Sequence, residues 1–180
     1  RLRHRAGSGH SLLGKVMAAA TKKVYLASGL GFSAQQRAMI LPEIKRALER
    51  LGCEVFEPFE DSNEGAKTAV EQPPGWAYRV GQNDVQAVRD CDAVFCWANF
   101  NPPDEGAMIE LGIAIGLKKK TFIFRDDFRK CCPCEDYPLN LMLFSGIPEK
   151  TWRDYYFTSM DEIADPKKAF VRWLKDELDE

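Results

Sequence analysis

Asn101-Pro-Pro-Asp104-Glu-Gly-Ala-Met-Ile-Glu110-Leu-Gly-Ile-Ala-Ile-Gly-Leu117 reads as a turn that feeds a helix. Pro102 and Pro103 have no place in a helix interior, and Asp104 directly behind them is a favoured N-cap. From Gly106 to Leu117 every residue except Glu110 is apolar or glycine, the pattern of a helix buried on all sides. A carboxylate inside such a helix costs several kcal/mol unless it is paired or used. The side chain of Glu110 leans back over Ala107 and Gly106, which are too small to cover it, so it is expected to face a cleft near the helix N-terminus. The helix dipole there favours the ionised, nucleophilic carboxylate. The structural alternative is a buried ion pair with an arginine such as Arg79 or Arg125.

The segments on either side fix the architecture. Asp92 to Trp97 before this helix and Thr121 to Arg125 after it are short runs of β-formers, and Lys118-Lys-Lys120 stops the helix. Further upstream, Lys23 to Ser28 reads as a central strand, and Ser33 caps a helix that runs to about Leu51 with a kink or break at Pro42. Cys53 to Pro58 is a second strand, and strand, helix and strand within about 35 residues make a right-handed βαβ unit. A helix from about Trp76 to Cys91 puts Asp84 on the same face as Val88 and Cys91. Near the C-terminus lie an amphipathic stretch, Leu139 to Phe144, a last strand near Tyr155 to Thr158, and a closing helix from about Asp165 to Leu178. Alternating buried strands and helices predict an α/β, flavodoxin-like (Rossmann-like) doubly wound parallel sheet of about five strands with helices on both faces.

The 180 residues suit one domain, and a formal net charge of −2 with interspersed signs suggests neither a nucleic-acid nor a membrane partner. Residues 1–16 have no acidic residue and no hydrophobic period. They read as an appended, expression-derived segment or a leader, disordered and outside a single folded unit spanning 17–180. They also hold the only histidines, His4 and His10, so acid–base chemistry in the folded part falls to carboxylates, Tyr, Cys or Lys. Cys131-Cys-Pro-Cys134 has a C-x-x-C spacing but no second such pair and no nearby histidine, so a structural role is expected and no metal site. Reduced cysteines fit a soluble, cytoplasmic protein. Residues 59–75 form a long polar connection with Pro73-Pro-Gly75 at one end, a candidate lid over the ligand edge.

In sheets of this kind ligands bind beyond the carboxyl ends of the strands, which gathers Tyr25 to Phe32 and Trp97 to Glu110. Gly29-Leu-Gly31 lacks the spacing of a dinucleotide or P-loop motif, while Phe32, Trp97 and Phe100 are candidates to stack on a planar ligand.

Tyr25 before a glycine loop, the inward Asp84, Asp104 six residues ahead of Glu110 in an E-x-G-x-A context, and Asn140-Leu-Met142 downstream together resemble the nucleoside 2-deoxyribosyltransferase family, over about residues 22–146. The resemblance implies a homo-oligomeric salvage enzyme that exchanges the base of a 2′-deoxynucleoside and needs no cofactor. It implies Glu110 as the nucleophile at C1′, Tyr25 as the phenol that positions it, and Asp84 and Asp104 as the carboxylates that bind and protonate the base. Gly29 and the three aromatics would bound the substrate, and Asn140 with Met142 would reach the sugar of an adjacent subunit. Two other expectations compete. One is an N-glycoside hydrolase of deoxynucleoside 5′-monophosphates that uses the same carboxylate, and the other is a non-enzymatic nucleotide-binding module.

Overall fold

The computed structural model describes residues 21–61, 74–131 and 134–178. The proposed leader, all but the ends of the 59–75 connection, and Cys132 with Pro133 lie outside the described residues. Five parallel strands, β1 (Lys23–Ala27), β2 (Glu54–Phe56), β3 (Ala93–Trp97), β4 (Lys120–Phe124) and β5 (Tyr156–Phe157), pair in the order β2-β1-β3-β4-β5. This is the flavodoxin-like order, and the chain reverses direction of winding between β1 and β3. In register, Tyr25 lies beside Val94 and Leu26 beside Phe95. Alternation along the strands therefore puts Tyr25 and Val94 on one face of the sheet and Phe95 with Trp97 on the other.

The Tyr25 face is covered by α4 (Trp76–Asp90) and α5 (Glu105–Gly116), which pack against each other. The opposite face carries α2 (Leu41–Glu49), α6 (Ala169–Leu174) and a 3-10 turn, Met160–Ala164. There Phe170 meets Phe95 and Phe122 edge-on, with ring centroids 5.4 and 5.0 Å apart. The first helix is broken as Pro42 requires: α1 (Ala34–Met39) is capped by the Ser33 hydroxyl, and Pro42 sits in the first turn of α2, where its missing N–H is harmless. No helix among the described residues is long and apolar enough to cross a membrane.

Three expectations need correction. The closing helix is shorter than the span from Asp165 to Leu178, because Pro166 lies in a turn and Asp176, at φ 57°, ends the helical path. Residues 59–61 are not loop but part of a one-turn helix, α3 (Pro58–Asp61). Glu57 caps it, with Oε2 accepting from the Glu60 N–H at 2.9 Å and its own N–H donating to Asp61 Oδ2 at 2.7 Å. Finally, α5 is not buried all round. Its buried residues are Ala107, Leu111 and Ala114, whereas Ile109 is 61 % exposed on the far side.

Candidate active site

The N-terminal turn of α5 builds the site. Asp104 caps the helix, its Oδ1 accepting from the Ala107 N–H at 2.9 Å. The cap seats against the loop after β1: a Cβ added to Gly29 would come within 2.8 Å of Asp104 Oδ2, so only glycine lets the two segments close to this distance. Glycine serves packing again at Gly31, where a Cβ would enter the Phe59 ring. Phe59 then holds the exposed Phe32 edge-on at 4.8 Å.

Glu110, almost two turns further along α5, accepts a 2.6 Å hydrogen bond from the Tyr25 hydroxyl at Oε1. This bond crosses from the helix to the middle of β1. It takes the place of the arginine pair: Arg79 donates to the Pro74 carbonyl at 3.2 Å, and Arg125 is occupied by loop carbonyls. A cavity of about 340 Å³ opens over the carboxylate, bounded by Asp84 of α4, Asp104, Phe32, Phe59 and Trp76. That volume lies within the range of small-molecule sites. Asp104 and Glu110 reach one cavity although six helical residues separate them, because Asp104 acts from the cap rather than from the barrel of the helix.

Burial sets the electrostatics. It raises the Glu110 carboxyl to about 8, with the Tyr25 hydrogen bond opposing the shift and the charges of Asp84, Asp104 and Glu57 adding to it. This runs against the expectation that the helix terminus keeps this group ionised: loss of solvent outweighs the dipole. Tyr25 is pushed up as well, first by burial and then by Glu110, so it stays a hydrogen-bond donor.

The remaining sequence candidates are placed differently. Phe32 borders the cavity, and Gly29 supports it through Asp104. Trp97 does not reach it. Being two residues from Phe95 it faces the other side of the sheet, stacked on Phe124 at 4.3 Å and 6 % exposed. Phe100 also stands outside, in a left-handed conformation at φ 78° and 40 % exposed. Asn140 caps a 3-10 turn, Leu141–Phe144, by accepting from the Met142 N–H at 3.0 Å. With Met142 it lines a separate groove of about 830 Å³ on the far side of α5, together with Met108, Ile109 and Leu143. Ser28 falls in the Tyr25-to-Phe32 stretch already expected at the ligand edge, whereas sequence reasoning missed Phe59, Trp76 and Val80 as cavity residues. The periodicity of α4 held the signal for the last two, since Trp76, Val80 and Asp84 recur every four residues.

Comparison with known proteins gives this geometry its setting. The sequence profile of the nucleoside 2-deoxyribosyltransferases matches residues 24–142, which spans β1 from its second residue, every cavity carboxylate and Asn140. No curated protein matches the chain. Among solved structures, a 2-deoxyribosyltransferase from Bacillus psychrosaccharolyticus superposes with a TM-score of 0.56 at 23% identity, covering 79% of this chain and 90% of that one. A 2-desoxiribosyltransferase from Leishmania mexicana gives 0.59 at 21% identity, covering 87% and 99%. A conserved protein from Enterococcus faecalis gives 0.59 at 17% identity, covering 88% and 100%. At these identities the superpositions speak for the fold. The profile match, over well more than half of the chain, carries the further conclusion that it belongs to the nucleoside 2-deoxyribosyltransferase family.

Proposed function

We propose that this protein transfers 2-deoxyribose between nucleobases through a covalent ester on Glu110. The observation that carries the reading is the 2.6 Å hydrogen bond from Tyr25 to a carboxylate at the floor of a cavity that two further carboxylates share. Cleavage of an N-glycosidic bond passes through an oxocarbenium-like state, which needs an anion beneath C1′ and a proton at the departing base. Glu110 supplies the anion once ionised and attacks C1′. The N-glycosidic electron pair leaves with the base, which takes a proton from Asp104 or Asp84. A second base then attacks C1′, its proton returns to the same carboxylates, and Glu110 is released. Two inversions restore the β configuration, so NMR of the first product should show β-nucleoside; an initial α-anomer would refute the mechanism.

Among the described residues the charged groups around the cavity are carboxylates, which favour a neutral nucleoside over one carrying a phosphate dianion. This weighs against hydrolysis of 5′-monophosphates as the main activity. The exposed Ile109 and Met142 on the outer groove support a homo-oligomer in which Asn140 and Met142 serve a neighbour's sugar site. Incubation with deoxyinosine, with and without adenine, is the direct test. Exchange of the base supports the transferase, release of base alone from deoxyinosine or its 5′-monophosphate points to a hydrolase, and no product from deoxyinosine, its 5′-monophosphate or 2′-deoxyuridine refutes both.

A further inference from the structure

Arg125, directly after β4, is 1 % exposed. A guanidinium that deep in a protein costs several kcal/mol unless its donors are used. Its Nη1 donates to the carbonyls of Ala98 and Phe100 at 2.6 and 2.7 Å, and its Nη2 to the carbonyl of Arg129 at 2.8 Å. The nearest carboxylate oxygen among its ion-pair partners, Asp127 Oδ2, is 3.7 Å away, and Asp127 is itself held by Arg129. The buried charge thus works mainly on backbone oxygens of the loop that follows β3. That loop is unusual for its length. Phe100 is held at φ 78°, a conformation that strains a bulky side chain, and Pro102 and Pro103 lead directly into Asp104. A second tie runs parallel: Asn99 Nδ2 donates to Asp126 Oδ1 at 2.5 Å, and Asn99 Oδ1 accepts from the Asp126 N–H at 3.0 Å. Arg125 does not border the cavity, so it touches no substrate there.

We infer that Arg125 is a positioning residue for base protonation: by gripping the Ala98 and Phe100 carbonyls it fixes the loop that delivers Asp104 beside Gly29 and over Glu110. The inference rests on the reading of Asp104 as a proton donor to the departing base. The physical link is short. Rotation of the 98–100 backbone moves the start of α5 and its cap, while Glu110 stays anchored further along the helix by Tyr25. Loosening the grip should therefore impair protonation of the base and leave the attack by Glu110 intact.

Leaving-group activation separates these two steps. 5-Fluoro-2′-deoxyuridine carries a less basic leaving base than 2′-deoxyuridine, and 7-methyl-2′-deoxyguanosine leaves without a proton where 2′-deoxyguanosine needs one. Between them the two pairs cover either base preference. In Arg125→Lys the ratio of kcat on the activated donor to kcat on the ordinary one should rise at least about fivefold over wild type, and Asp104→Asn should raise it at least as much. The double variant should raise it no further than Asp104→Asn alone, since both changes remove one interaction. Equal losses on both donors of a pair, or an unchanged ratio in Arg125→Lys beside a raised one in Asp104→Asn, would overturn the positioning role while leaving the transferase reading in place. A wild-type protein inert toward all four donors would instead bring down that reading and this inference with it. If Arg125→Lys does not fold by circular dichroism, Asn99→Ala decides the matter through the parallel tie: a raised ratio, about twofold, supports the proposal and an unchanged one overturns it.

Discussion

The two long faces of α5 could hardly differ more. One presents Gly106, Ala107 and Glu110 to a cavity with three carboxylates; the other presents Met108, Ile109 and Gly112 to a wider apolar groove. Both belong to one helix that reads, from Gly106 onward, as uniformly apolar apart from Glu110. The difference teaches that hydrophobicity around a helix marks surfaces to be covered, without saying by what. On the inner face the cover is the sheet and α4. On the outer face Ile109 is left 61 % exposed and Met142 77 %, the kind of patch that a second copy of the chain would bury.

The strongest way to break the comparison is to empty the inner face of its charge. Glu110→Ala should lower base exchange by at least about a thousandfold, since removal of a nucleophile leaves only binding and electrostatic effects. The fold should survive, because the group lost is one that burial makes costly. Full activity with a native circular dichroism spectrum would refute the assignment. Tyr25→Phe comes next. It deletes a hydrogen bond to a charged group and should cost about 10- to 100-fold. The sign of its pH effect is also fixed. In the free enzyme kcat/KM should rise with pH as Glu110 ionises near 8, and because the Tyr25 bond lowers that value, the rising limb in Tyr25→Phe should move to higher pH. A limb that stays in place or moves to lower pH would show that another group controls the rate.

The outer face yields a smaller effect of a different kind. Ile109→Asp places a charge in the apolar groove without touching the cavity residues. If copies of the chain meet there, the wild type should sediment as a dimer or larger and the variant as a monomer with roughly tenfold lower activity. A wild type that is monomeric and fully active would assign the groove some other occupant.

How much of this was legible in the sequence follows from the same helix. The strand–helix alternation from β1 to β4 gave its bounds within a few residues, because buried parallel strands read as apolar runs and the caps at Ser33 and Asp104 are local signals. Glu110 stood out because its neighbours are apolar and small. Trp97 went astray because the residue type suggested stacking, while parity with Phe95 already assigned it to the other face. The rise of Glu110 to about 8 was not legible, since it depends on how completely distant segments exclude water and on the charges of Asp84 on α4, Glu57 beside α3 and Asp104 at the α5 cap. The grip of Arg125 on the 98–100 carbonyls was equally hidden, since a buried arginine in sequence gives no hint that its partners are backbone oxygens.

The finest test of the contrast between the two faces is stability as a function of pH. Unfolded, the Glu110 carboxyl titrates near its usual value of 4.5; folded, it holds its proton up to about 8. Between those values the folded state binds a proton that the unfolded state has released, so the contribution of this group to stability falls as pH rises through the window and the full cost stands above it. Glu57, fully buried and shifted in the same direction, adds a slope of the same sign that is common to wild type and variant. Glu110→Gln keeps an oxygen for the Tyr25 hydroxyl and removes the titration. Urea unfolding at several pH values should then give nearly equal stabilities for the two proteins near the low end of the window, and an advantage of roughly 2 kcal/mol or more for the variant above its high end. Ile109→Gln on the outer face, which removes no titrating group, should differ from wild type by the same amount at every pH. A pH-independent difference for Glu110→Gln as well would mean that the carboxylate is better solvated than its burial implies, and the two faces of α5 would then be electrostatically alike.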